Sequence, residues 1–173
     1  RSPLKASGAV GKQNTGTQIR FWPDGKYFDT LKLSLPKLRH VLRAKAVLCP
    51  GLTVKLYEES TKIKDEWHYE AGLESYLIET LPEAELLPTV PFQGDMAGND
   101  EAVTWALQWR VDEGEIVTES YVNLVPTSQG GTHVSGLRQG LLEAMREFCD
   151  FRNLLPRGVK LTADDLIEHC AYI

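Results

Sequence analysis

Between Tyr121 and Phe151 an alternating apolar run passes through a glycine pair into a long stretch of helical period, the most ordered pattern in the chain. Val122 and Leu124 fall on one face of a strand. Pro126, which has no N–H, stops the ladder, and Gly130-Gly131 supply the positive φ angles of a tight turn. Thr132 follows in the position of a helix N-cap. Val134, Leu137, Leu141, Met145, Phe148 and Phe151 then recur at three- and four-residue intervals, which predicts a helix of about five turns whose apolar stripe covers a sheet. Gly136 and Gly140 share one face of it, and each costs roughly 1 kcal/mol against alanine, so close approach of another backbone is expected there. The turn Gln129 to His133 ends on the free N–H groups of a helix start. An anion such as phosphate is therefore a second reading of those glycines, beside a plain strand-to-helix passage.

Taken from its beginning, the chain opens on a small, polar, glycine-spaced run to Gly16 that reads as a loop or fraying edge. Thr17, Ile19 and Phe21 alternate with Gln18, Arg20 and Trp22, which predicts a strand closed by the turn Pro23-Asp24-Gly25. Ser34 is placed to cap a helix that carries Leu35, Leu38, Leu42, Ala46 and Cys49 inward, ends at Pro50-Gly51, and presents Lys37, Arg39, Arg43 and Lys45 as a solvated basic face. A strand over Leu52 to Tyr57 and a second over Trp67 to Glu70 predict a hairpin, and a short helix follows from Gly72 through Tyr76, Leu77 and Thr80. Residues 82–100, with several prolines and glycines, are expected to form no single regular element. The strict alternation of Val103, Trp105, Leu107, Trp109 and Val111 predicts a strand paired with Ile116 to Val125 across the turn at Asp112-Glu113-Gly114. Beyond the long helix come a short strand at Val159 to Leu161, a helix with Thr162 and Asp165 spaced as a capping box, and the apolar start of a strand in the final residues.

The chain's 173 residues suffice for one or two small domains without covalent staples, and the fold class is α+β. Three scattered cysteines, Cys49, Cys149 and Cys170, suit reduced core thiols, and no apolar run approaches a membrane span or a signal peptide, so a soluble cytoplasmic protein is expected. A net charge of −5 argues against a free-standing nucleic-acid binder. Catalytic patterns are missing: no nucleophile-base pairing, metal-ligand spacing, dinucleotide fingerprint or phosphate-loop lysine stands out. His133, beside the glycine turn, reads as a structural hydrogen-bonding residue.

The segments TGTQIRFWPD, AKAVLCPG, ALQW, ESYVNLVPT, QGGTHVSGLRQGLLEAMREFCDFRNLLPRGVKL and CAYI stand in the order and spacing of the B subunits of bacterial type II topoisomerases. The chain resembles those of topoisomerase IV more closely than those of gyrase. The resemblance implies residues 1–66 as the C-terminal part of a GHKL ATP-binding domain and residues 67–173 as a transducer domain of the ribosomal protein S-five domain-2-like type, truncated before its Gln-Thr-Lys loop. It implies ATP and magnesium as cofactors of the intact subunit. The implied partners are the topoisomerase IV A subunit, double-stranded DNA and a second B subunit in the ATP-closed clamp. Thr17 matches a threonine in the network around the adenine amino group, and Ile19 matches an apolar wall of the same pocket, where coumarin-type inhibitors also bind. No catalytic or metal-binding residue is carried over: the family's catalytic glutamate, magnesium-binding asparagine, adenine-binding aspartate and glycine-rich lid have no match here, so the isolated chain is expected neither to hydrolyse ATP nor to bind it tightly. Two other readings are a gyrase B fragment and a non-catalytic interaction module that holds an acidic partner through Arg39, Arg43 and Lys45, or through Arg138, Arg146 and Arg152.

Overall fold

A computed structural model describes residues 3, 5–13 and 15–173; Arg1, Ser2, Leu4 and Asn14 of the expected opening loop lie outside it. Residues 1–35 and 36–173 form two separate units. In the first, the strand expected over residues 15–22 is not formed. Alternation yields a strand only when a neighbour supplies the ladder, and no described segment pairs with this one. The turn after it is present, with the Lys26 N–H donating to Asp24 Oδ1 at 2.9 Å and the Tyr27 N–H to the Asp24 carbonyl at 3.0 Å.

All of α1 (Leu35–Leu48) but its first residue belongs to the second unit; the helix starts directly after Ser34 and buries Ala44, Ala46 and Val47, while Leu38 and Leu42 are half-buried. β1 (Thr53–Tyr57) and β2 (Lys64–His68) make the expected antiparallel hairpin, with Val54 opposite Trp67. The anticipated domain boundary after residue 66 therefore falls within β2. α2 (Leu73–Thr80) buries Leu73, Tyr76 and Leu77.

A three-stranded antiparallel sheet follows, in the order β3 (Leu86–Ala97), β4 (Ala102–Arg110), β7 (Cys170–Tyr172). Two expectations are corrected here. The proline-rich stretch is a long strand, because Pro88 and Pro91 fall at a break in register between Leu87 and Phe92 on the sheet's outer strand, where the missing N–H groups are tolerated. The partner of β4 is accordingly β3, not residues 116–125. Arg110 explains why the chain turns away: it donates to both carboxylate oxygens of Asp112 and to the Glu115 carbonyl, and a Cβ at Gly114 would lie 2.4 Å from its guanidinium. Thr118 bridges instead to Tyr172 beside β7.

β5 (Tyr121–Val122) and β6 (Val125–Pro126) form a small hairpin through Asn123 and Leu124, both at positive φ, as two-residue turns of this kind require. α3 (Thr132–Arg152) starts after Gly131, which occupies the N-cap position expected for Thr132 and lends no side chain to it. Residues 159–161 form no strand. α4 (Ala163–Ile167) carries the predicted capping box, with the Asp165 N–H donating to Thr162 Oγ1 and the Thr162 N–H to Asp165 Oδ2.

On one face of the sheet, Ala106, Ala171 and Ile173 join Ala46 and Val47 of α1 and Leu73, Tyr76, Leu77 and Leu81 in a single core. On the other, the Trp109 indole donates to the Leu166 carbonyl of α4 at 2.7 Å. Cys170 is fully buried, and loss of water raises its thiol pKa to about 12, which suits an inert core residue. All three cysteines are free.

Candidate functional site

Polar side chains converge where α1, α2 and the segment entering β5 meet. Helical spacing puts His40 and Arg43 of α1 toward α2, whose Tyr76 and Glu79 stand three residues apart. Glu119 accepts a hydrogen bond from the Tyr76 hydroxyl at 3.0 Å and one from the Tyr121 hydroxyl at 2.6 Å, with His40 Nε2 3.8 Å away. Burial, reinforced by this carboxylate, raises the pKa of both tyrosines far above the ordinary value, so both stay neutral donors. The Arg43 guanidinium lies over the Tyr76 ring, 4.8 Å from its centroid. It donates to the Tyr69 hydroxyl at 2.8 Å and meets Glu79 at 3.0 Å.

Glu79 is held below its ordinary value of 4.5 by the hydrogen bond from Tyr69, 2.7 Å away, and by Arg43. With the folded-state pKa depressed, the stabilisation is complete above the unfolded value and is lost as pH falls through the folded one. The side chain is 58 % exposed, so the effect is small. Urea titrations of wild type and Glu79→Gln are expected to show a difference near neutrality that shrinks as pH falls below the ordinary value of 4.5 and through the lowered folded-state one; a constant offset across that range would contradict the assignment.

The same segment continues to the start of α3. Ser120 and Thr127 face each other across the β5–β6 hairpin with hydroxyls 2.6 Å apart, and Thr127 Oγ1 stands 3.2 Å from His133 Nε2. The hairpin tip is tied to α1, since the Lys45 ammonium donates to the Leu124 carbonyl. His133 thus has a hydrogen-bonding partner within the fold.

Between α3 and the sheet lies a cavity of about 440 Å³, lined by Val134, Leu137 and Leu141 on one side and Val103, Trp105 and Leu107 on the other. Gly136 and Gly140 face it, and a Cβ at either would meet nothing within 4 Å. The close backbone approach expected at these glycines is not present. The apolar stripe meets the expectation only in part: Val134, Leu137 and Leu141 face the sheet across the cavity, whereas Phe148 and Phe151 are exposed, Phe151 to 80 %. The helix is held from the α4 side, where Arg138 pairs with Asp164 and Arg146 donates twice to the Leu161 carbonyl.

Thr17 and Ile19 lie in the first unit, both exposed and in irregular chain. The basic face of α1 is not simply solvated: Arg39 pairs with Asp65 at 2.8 Å, and Arg43 and Lys45 have the partners just described. Sequence reasoning missed Glu119, Tyr76 and Tyr121 as a cluster. Only the alternation of Glu119 and Tyr121 hinted at a shared strand face.

The family model for DNA gyrase B matches residues 72–173. The DNA topoisomerase 4 B subunit of Pseudomonas aeruginosa is 59 % identical over 99 % of this chain, and that of Escherichia coli 55 % identical over 98 %; in each case the match covers 27 % of the relative. The chain thus spans about a quarter of the length of these relatives. Among solved structures, the topoisomerase IV ATP-binding domain of Francisella tularensis in complex with a small-molecule inhibitor matches 97 % of this chain and 45 % of its own, with a TM-score of 0.74 and 39 % identity.

Proposed function

Because the chain belongs to the DNA gyrase B family, as a region of a type II topoisomerase B subunit, we propose that it serves in the ATPase region of a topoisomerase IV. There it couples ATP binding and hydrolysis to clamp closure and DNA strand passage, for decatenation and relaxation. The observation that carries this reading is the likeness to a topoisomerase IV ATP-binding domain over nearly the whole chain. The family match begins at Gly72, directly before α2. Its position supports a division into an ATP-binding part and a transducer near the expected residue 66, with the β1–β2 hairpin kept whole on the ATP-binding side.

In the intact subunit the partners are the A subunit, duplex DNA and a second B subunit, in the cytoplasm. No helix among the described residues is long and apolar enough to cross a membrane. The residues present do not by themselves fit magnesium and ATP. Thr17 offers one hydroxyl and Ile19 one apolar wall, and among the described residues no three His, Cys, Asp or Glu side chains come together as a metal site would need. The described residues of this chain therefore do not hold that cofactor on their own. The chain's part is to position.

In the full-length subunit, Thr17→Ala is expected to weaken binding of a non-hydrolysable ATP analogue about three- to tenfold, the worth of one hydrogen bond, with melting unchanged. Calorimetric titration checks this, and an unaltered affinity counts against the assignment of Thr17. The function itself is tested by titrating the same analogue into this chain and into a form extended at both ends to the family's missing elements. Binding by the extended form alone supports the reading. Binding by neither would favour an interaction module, although the internal pairing of Arg39, Arg43 and Lys45 leaves little of that basic face for a partner.

A further inference from the structure

The polar contacts of Glu119, Ser120, Leu124 and Thr127 make one connected path from α1 to the first turn of α3. At its α1 end are His40 beside Glu119 and Lys45 on the Leu124 carbonyl; at its α3 end is Thr127 against His133. In between, the hairpin is tied by several contacts. Its two strands are joined by a two-residue turn, Ser120 and Thr127 are cross-linked by their hydroxyls and by the Thr127 N–H on the Ser120 carbonyl at 2.8 Å, and Glu119 is gripped by two tyrosines. An independent observation concerns α3 itself. With open space under Gly136 and Gly140, this helix is not wedged against the sheet, so its N-terminal end is placed by what holds His133 and, a turn later, by Arg138 on Asp164.

We infer that the β5–β6 hairpin is a transmission lever between α1 and α3, with Lys45, Glu119 and Thr127 as its positioning residues. This rests on the function proposed above, which puts α1 on the ATP-binding side and α3 in the transducer. A shift of α1 moves the hairpin tip through Lys45 and its base through Glu119. The hairpin carries the displacement to Thr127, and α3 has room beneath it to respond. None of these residues touches nucleotide or DNA in this role. Their effect is on coupling, which is a free energy shared between two sites and is measured as such.

The test uses the full-length B subunit assembled with its A subunit and compares ATP hydrolysis with ATP-driven unlinking of DNA circles. Thr127→Val removes the hydroxyl that joins Ser120 to His133 while keeping the side chain's shape. It is expected to leave the kcat and KM of hydrolysis within about twofold and to lower unlinking events per ATP about tenfold, the size of a typical coupling term. Thr127→Ser, which keeps the hydroxyl, is expected to restore the ratio. Lys45→Met acts at a half-exposed side chain and gives the same readout should Thr127→Val melt early. A wild-type ratio in both Thr127→Val and Lys45→Met overturns the inference, as does a parallel fall in hydrolysis and unlinking, which would mark a structural role only. Absence of ATP-driven unlinking in the wild-type complex overturns the proposed function, and with it this inference, and shows in a separate arm of the experiment.

Discussion

Replacing Leu77 with alanine is expected to lower the unfolding free energy by about 4 kcal/mol, toward the upper end of what core leucines cost. Leu77 is fully buried in α2, and the core it enters includes Ala46, Ala106, Ala171, Val47 and Ile173. The transfer term for the lost carbons is common to any buried leucine. The size of the remaining term depends on whether neighbours can move into the gap, and alanines on α1, β4 and β7 have no side-chain length with which to do so. Urea denaturation should show the midpoint falling with an unchanged slope. Phe151→Ala is the matched control: a larger side chain is removed, but from an 80 % exposed position, so a change within about 0.5 kcal/mol is expected. Similar losses in the two variants would mean that the core is not where it is described.

Gly131→Ala is expected to cost about 3 kcal/mol and to unpin the first turn of α3. Gly131 holds φ +156 and ψ −175, a region essentially closed to residues with a Cβ, and that Cβ would lie 2.8 Å from the His133 ring. Alanine must therefore either distort the N-cap or push His133 off Thr127. The reporter is amide exchange at Ser135, whose N–H donates to the Gly131 carbonyl at 3.0 Å; it should exchange faster in the variant. The same change five residues on has the opposite sign. At Gly136 a Cβ meets nothing within 4 Å, so Gly136→Ala should stabilise by up to about 1 kcal/mol through helix propensity alone. Destabilisation there would show that the space under α3 is not open.

Elements whose own residues set their period were legible in the sequence. α1 and α2, the long α3, the β1–β2 hairpin and the capping box of α4 were each marked by spacing, breakers or caps within a few residues. The failures have a common cause in contacts made far along the chain. β3 was hidden because Pro88 and Pro91 break the alternation that marks a strand, and only the register with β4 shows that they sit at an irregularity. β4 was assigned its sequence neighbour as partner, whereas Arg110 and Asp112 turn the chain away from it. Residues 15–22 have the pattern of a strand but no ladder among the described residues. The candidate site was the least visible, because the Tyr76–Glu119 bond joins residues 43 positions apart and no local motif announces it. The resemblance carried by QGGTH and TGTQIRFWPD supplied the family, which the gyrase B match and the topoisomerase 4 relatives bear out, and physical pattern alone supplied only an α+β domain.

The register break in β3 also bears on how molecules of this chain meet one another. β3 is an outer strand of the sheet, twelve residues long and carrying exposed Leu87, Val90, Phe92 and Met96, the kind of surface on which a neighbouring molecule could add its own strand. Pro88 and Pro91 offer no N–H to such an intruder, and the irregularity between Leu87 and Phe92 puts the two ends of the strand out of step. An intermolecular ladder laid along this edge would lack those two N–H donors and would lose its step at the irregularity, so the longest strand offers a second molecule only a broken edge.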